Sequence, residues 1–214
     1  MYPITIVDNF FTNPDKVVEF AMNQEFFSSE DSSWPGKRTH PVSVINPNLF
    51  QFVGDKIHKI FYNDAKEWFL DIRFQLIDPF SEDQYHIKNR GWIHKDEVSY
   101  FGGIIYLTKN PDKDTGTSLY CEKDGYSIQP KEFNFVKERF YGGEEVSDEE
   151  YQEAFWGINS QYEETVSVEN VYNRLLMFSS ADHHGVQTFG KTKQRLTMTI
   201  FSYGTPNKTP PLYR

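Results

Sequence analysis

Cysteine is nearly absent from this 214-residue chain: Cys121 stands alone, which excludes an internal disulfide and a cysteine-built zinc site. Long apolar runs are missing as well, and none approaches the roughly 20 residues that a membrane-spanning helix needs. There is no dense basic block. With 22 Lys and Arg against 31 Asp and Glu, and a formal net charge of -9, the chain lacks the clustered positive footprint with which nucleic-acid binders displace counterions. The opening residues, Met1 to Val7, carry neither the basic n-region nor the apolar core of a secretory leader. The expectation is a soluble, cytoplasmic protein with no nucleic-acid or membrane partner; oligomeric state is left open. No internal repeat or flexible linker is visible, and the length suits one domain over 1–214.

Aromatic residues are what the chain has in excess: 19 Phe, 13 Tyr and 4 Trp. They fit half-buried pleated surfaces, so the core should be β-dominated. Helical signals come early. Asn13-Pro14-Asp15 supplies an N-cap residue, a first-turn proline and an acid, opening a helix that ends near Met22. Leu49, Phe52, Val53, Ile57 and Ile60 recur at helical spacing and predict a second helix over about 48–62, with 28–48 as a loop. Strand character appears next at Trp68–Leu70, Phe74–Ile77, Gly103–Thr108, Thr117–Tyr120, Arg174–Phe178 and Gln194–Phe201, after an opening strand at Ile4–Val7. The 131–165 stretch is strongly acidic and partly helical in pattern. It reads either as a solvated face or as an insertion gating a nearby site, and acids at a mouth would favour a basic partner. The tail with Pro206, Pro210 and Pro211 cannot join a central strand. The pattern is α+β and β-dominated: helices over about 1–65 buttress a barrel or sandwich over about 70–203.

Of six histidines, only His94 is followed two residues later by a carboxylate, Asp96. In an extended segment residues i and i+2 share a side, so both can reach one metal. A lone His-x-Asp is common by chance; the order of the residues downstream strengthens it. A Tyr-bearing strand comes next (Ile105-Tyr106-Leu107), then the pair His183-His184, then Arg195, eleven residues past His184. Phe189 to Lys193 read as a turn, so a hairpin is expected to fold Arg195 back towards the histidine's strand. Period two puts Arg195, Thr197 and Thr199 on one face, with Leu196, Met198 and Ile200 on the other. Two imidazoles and a carboxylate on one face of iron leave positions for a chelating cosubstrate and dioxygen. A guanidinium deeper in the barrel can grip the far carboxylate of a dicarboxylate.

In this order, His94-x-Asp96, His184 and Arg195 resemble the motif series of the 2-oxoglutarate and iron(II)-dependent dioxygenases, specifically the prolyl 4-hydroxylase-like branch. The resemblance covers roughly 70–203 and implies a double-stranded β-helix, the cupin-like jelly-roll barrel. It implies His94, Asp96 and His184 as iron ligands and catalytic residues, and Arg195 as the 2-oxoglutarate anchor. Tyr106 and Thr197 would join Arg195 at the cosubstrate, and Tyr85 sits where some relatives place another contact. The spacing from Phe178 favours His184 over His183, which would face solvent or support a ligand. Two departures stand out: relatives of the collagen-modifying kind often carry Lys where this chain has Arg195, and 131–165 lengthens the gap before the third ligand. The implied activity is hydroxylation of an amino-acid or peptidyl substrate with O2, releasing succinate and CO2. A barrel that binds a metal or small acid without turnover is the alternative. The alkylation-repair branch carries a second arginine six residues after the first; Phe201 occupies that position here. His40, His58 and His86 read as structural, Trp92 as packing, and Cys121 as a small buried hydrophobe.

Overall fold

The computed structural model describes residues 4–28, 34–60, 69–96, 99–125 and 127–203. The chain runs β1 (Thr5–Val7), α1 (Pro14–Met22), β2 (Phe27–Ser28), β3 (Lys37–Arg38), α2 (Val42–Ile45), α3 (Pro47–Ile60) and β4 (Phe69–Ile77). It continues with β5 (Phe101–Tyr106), β6 (Thr117–Glu122), α4 (Lys131–Tyr141), α5 (Asp148–Asn159), β7 (Tyr162–Val168), β8 (Leu175–Ser179), β9 (His183–Val186) and β10 (Arg195–Tyr203). Among the described residues all the strand pairings are antiparallel. Seven strands form one sheet in the order β1-β8-β5-β10-β4-β3-β2, and three form a second, β7-β6-β9.

The early helices form where capping chemistry permits. The Asn13 side chain accepts from the Lys16 N–H at 3.3 Å, and Asn46 does the same for Leu49 at 3.0 Å, each just before a proline-led first turn. Val17, Ala21, Val53 and Ile57 then face the large sheet in the main core. Strands β4, β5, β8 and β10 each supply one side to that core. On β10 Leu196, Met198 and Ile200 point to the helices while Arg195, Thr199 and Phe201 point to the other face; on β4 Ile72 and Phe74 oppose Gln75 and Ile77. A separate cluster that includes Tyr106, Leu119, Val168 and Phe178 packs the two sheets together.

Several expectations need correction. The two separate runs expected around 68–77 form one strand, laddered to β10 from Phe69 to Ile77; Asp71 and Arg73, which interrupt the apolar pattern, pair at 3.0 Å on its cleft-facing side while Ile72 stays buried, and Trp68 lies outside the described residues. The 28–48 segment is not a bare loop. It contributes β3, which pairs with β4 but is two residues long, too short to show a side-chain alternation. The turn before Arg195 does not close a hairpin onto β9: β9 belongs to the small sheet, whereas β10 lies between β4 and β5 in the large one. The connection crosses between sheets and is held by Asp112, whose carboxylate accepts backbone N–H bonds from Lys191, Thr192 and Lys193 at 2.8, 2.7 and 3.1 Å. Cys121 is exposed, past a bulge at Leu119/Tyr120, rather than buried. The acidic stretch folds as α4, α5 and β7 over its own apolar core of Val136, Tyr151, Phe155 and Ile158 against Trp92. The Pro-rich tail lies outside the described residues. No helix among the described residues is long and apolar enough to cross a membrane.

Candidate metal centre

The segment after Trp92 is extended and hooked to β9. His94 and His184 exchange backbone hydrogen bonds at 3.0 and 2.9 Å, and the Asp96 N–H donates to Ser180 O at 3.0 Å. Gly91 permits this approach. Its N–H donates to Val186 O at 3.0 Å, and a Cβ there would lie 2.5 Å from that oxygen. The consequence is convergence of residues far apart in sequence. One ligand atom each from His94, Asp96 and His184 lies within 4.8 Å of the others. The His184 Nε2 stands 3.3 Å from Asp96 Oδ2, and the His94 Nε2 stands 3.8 Å from Oδ1.

Both imidazoles are oriented through their other nitrogen. The Nδ1 of His94 lies 2.9 Å from Trp92 O and that of His184 lies 3.0 Å from Asp182 O. A carbonyl can only accept, so each Nδ1 carries a proton and each Nε2 is directed towards the cluster, the orientation metal-ligating histidines adopt. The charges on His94 and Asp96 suit that orientation. Burial, reinforced by His184, pushes the His94 imidazole down to about 4, although its ring is still open to the cleft. Burial acts to raise the Asp96 carboxyl, but His184 and His94 outweigh it and hold it at about 2. With His94 neutral and Asp96 charged at neutral pH, and the His184 Nε2 turned to the same point, the three side chains form an N,N,O donor set that suits a divalent metal with open positions.

His183 faces the other way. It is buried, with Nδ1 3.6 Å from Glu122 Oε1 and its ring 4.4 Å from that of Tyr162. Period two along β9 separates the neighbours.

The triad lines a cleft of about 820 Å³, counting its open mouth, together with Arg195. Arg195 is 3% exposed; its Nε donates to Thr115 O at 3.1 Å, and its Cζ is 5.6 Å from the Tyr106 ring centroid. Burial depresses its pKa and Tyr106 opposes that. Among the described residues its Nη2 has no hydrogen-bond partner, and neither does the buried hydroxyl of Thr197. A buried guanidinium without a counter-charge costs several kcal/mol, so this end of the cleft is built for an anion. Tyr106 is fully buried and its hydroxyl donates to Thr117 Oγ1 at 2.8 Å, beside that end.

Tyr85 is not part of the cluster. It is 62% exposed and donates to Asp114 Oδ2 at 2.7 Å, facing a different depression. A tyrosine on an irregular segment has no strand period to fix its direction, so its position in sequence misleads. Conversely, Trp34, Arg38 and Lys137 line the cleft without a sequence signal that marks them. Arg38 is carried by a two-residue strand with no periodicity; Lys137 sits inside the acidic stretch, whose charge hides it. Trp92 packs as expected, its Nε1 donating to Tyr151 OH at 2.8 Å, and also borders the cleft.

Residues 1–201 match a family model described as a family of unknown function, DUF6445. The chain belongs to that family. No match is found among curated proteins. Solved structures are similar in fold. HygX from Streptomyces hygroscopicus, with nickel, 2-oxoglutarate and hygromycin B bound, superposes with a TM-score of 0.59 at 11% identity, over 98% of this chain and 85% of that one. A Trichoplax adhaerens prolyl hydroxylase in complex with a peptide fragment of the hypoxia-inducible factor oxygen degradation domain gives 0.55 at 11% identity, over 94% and 83%. The non-haem α-ketoglutarate-dependent epimerase SnoN from nogalamycin biosynthesis gives 0.55 at 9%, over 95% and 78%. At such identities the likeness shows the fold: a mostly antiparallel two-sheet architecture shared with the 2-oxoglutarate and iron(II) oxygenases.

Proposed function

We propose that the chain is a non-haem iron(II) and 2-oxoglutarate-dependent oxygenase, one domain of the double-stranded β-helix type, that hydroxylates an amino-acid or peptidyl substrate. The observation that carries this is the shared cleft: a His-Asp-His donor set and a buried guanidinium with an unpaired Nη2 line one wall system. His94, Asp96 and His184 would hold the metal through Nε2, a carboxylate oxygen and Nε2. When bound, iron(II) with 2-oxoglutarate supplies the coupling of O2 to oxidative decarboxylation, giving succinate, CO2 and one oxygen atom inserted into a substrate C–H bond.

The protein's share is binding, orientation and exclusion of water. Arg195 Nη2 and the Thr197 hydroxyl would donate to the distal carboxylate of the cosubstrate, with Tyr106 fixed beside them by Thr117. Trp92 O and Asp182 O keep each imidazole in the tautomer that presents Nε2. Phe178, whose ring centroid lies 4.6 Å from that of His184, shields the metal side of the cleft. The test is succinate formation from 2-oxoglutarate under air with and without iron(II). Iron-dependent succinate in the wild type, and none from His94→Ala, is expected. Tight metal binding with no succinate under any condition would instead favour the non-catalytic barrel.

A further inference from the structure

The cleft carries a second group of cations, away from Arg195. Arg38 reaches it from β3, held by backbone pairing with Gln75. Its Cζ lies 4.3 Å from the Trp34 ring centroid and 5.6 Å from that of Phe201. Stacking on aromatic rings satisfies the flat face of a guanidinium but not its edge, where the N–H groups point. The Nε is buried and has no hydrogen-bond partner among the described residues.

The acids near Arg38 are Asp71 and Asp96, and both are committed elsewhere. Asp71 accepts the Arg73 Nε with both oxygens at 3.0 Å, and Asp96 faces the two imidazoles. Lys137, on α4, is partly buried and forms no salt bridge among the described residues. Its acidic neighbours are Glu138, adjacent in sequence and so not facing it, and Asp96 at longer range. Of the other charges of the outer cleft, Lys95 pairs with Glu122 at 3.7 Å and Arg73 with Asp71, while Glu138 lines its rim without a salt bridge among the described residues. Arg38 and Lys137 are the cations left over.

Their position matters as much as their charge. Arg38 and Lys137 line the inner cleft and the wider outer one, as do His94 and Asp96; Arg195 lines only the inner. A cosubstrate anchored on Arg195 therefore leaves them free, on the side of the metal ligands from which a second molecule enters. We infer that the cleft selects a substrate with a free carboxylate, gripped by the Arg38 edge and the Lys137 ammonium, its carbon skeleton lying over His94, Asp96 and His184. The carboxylate belongs to a free amino acid or to the C-terminal end of a short peptide. This rests on the oxygenase reading.

The test uses the full chain loaded with Ni(II) and 2-oxoglutarate, which binds without turnover. The twenty common L-amino acids and a matching set of N-acetyl-glycyl dipeptides are each titrated by calorimetry beside their C-terminal amides. At least one acid should bind, about ten-fold or more tighter than its amide, a single charge-assisted contact; the set to which it belongs identifies the source. Arg38→Gln and Lys137→Gln, on separate elements, should each erase that acid-to-amide ratio. Arg38→Lys should restore part of it, and the 2-oxoglutarate dissociation constant should stay within about two-fold. Equal binding of acid and amide, no binding of any acid, or loss of 2-oxoglutarate rather than acid affinity in Arg38→Gln each overturns the proposal. Failure of the wild type to take up Ni(II) and 2-oxoglutarate at all overturns the oxygenase reading, and the proposal with it.

Discussion

Replacing Arg195 by methionine should change stability and ligand response in opposite directions. Methionine fills similar volume without the charge. The wild-type guanidinium spends one bond on Thr115 O at 3.1 Å and leaves Nη2 unpaired in a site that is 3% exposed. Removing it loses about 1 kcal/mol of hydrogen bonding but lifts a burial penalty of several kcal/mol. The ligand-free variant should therefore gain about 1–2 kcal/mol, roughly 2–8 °C in Tm for a chain of this size. With 2-oxoglutarate the order reverses. A lost charge-assisted bond and its Coulomb partner are worth about 2–4 kcal/mol, so the dissociation constant should rise roughly 30- to 1000-fold. At a 2-oxoglutarate concentration of about 100 times the wild-type dissociation constant, the wild type should gain about 2.7 kcal/mol and the variant no more than about 0.9 kcal/mol. Differential scanning fluorimetry with Ni(II), with and without 2-oxoglutarate, reads both arms. A variant that melts below wild type when free, yet keeps the full ligand shift, refutes the claim that Arg195 is an unpaired anion anchor.

Three further perturbations probe the supports of the site. Gly91→Ala places a Cβ 2.5 Å from Val186 O and should pull the His94–Asp96 segment off β9; calorimetry should show Ni(II) affinity falling at least about ten-fold, and unchanged affinity would mean the segment holds its place without that contact. Trp92→Phe strands the buried Tyr151 hydroxyl that now accepts at 2.8 Å; urea unfolding should show a loss of about 1–3 kcal/mol. Asp112 is held at about 2 because its bonds to Thr192, Lys191 and Lys193 outweigh the effect of burial. A carboxyl depressed in the folded state stabilises above its unfolded pKa and loses that contribution as pH falls through the folded one. Asp112→Ala should thus be less stable than wild type at pH 7, and the gap should close between about pH 4 and pH 2; a gap independent of pH would rule out this role.

Legibility in the sequence followed periodicity. Arg195 and its alternating partners on β10 could be assigned to faces because nine residues, Arg195–Tyr203, repeat an in-out pattern between two neighbours. His94 and Asp96 could be paired for the same reason, although the structure holds them by a single bridge to His184 rather than a ladder. Where the backbone alone decides, the sequence is silent. Lys37–Arg38 joins β4 with no apolar signature, and the path from β9 to β10 is fixed by Asp112, a remote acceptor that looks like any turn residue. Tyr85 shows the converse error, a residue of the right type with nothing to fix its direction.

Charge shows the same gap between composition and site. A chain with net charge -9 and an acidic stretch at 131–165 reads as a partner for cations. In the folded protein much of that acidity is spent locally: Arg139 bridges Glu144 at 3.1 Å and Glu150 at 2.6 Å, and Lys88 holds Asp148 at 2.6 Å. The stretch gives the inner cleft Lys137 and Tyr141, and no acid. Beyond about 8 Å salt screens exposed charges, whereas groups enclosed by low-dielectric walls keep their reach. A molecule entering the cleft therefore responds to Arg38, Lys137 and Arg195 more than to the outer faces of α4 and α5. Raising ionic strength should weaken the encounter rate with a carboxylate ligand only modestly while its dissociation rate, set by the enclosed pairs, stays nearly constant. Stopped-flow binding across a salt series separates the two rates, and a dissociation rate that climbs steeply with salt would place the anion contact on the surface instead.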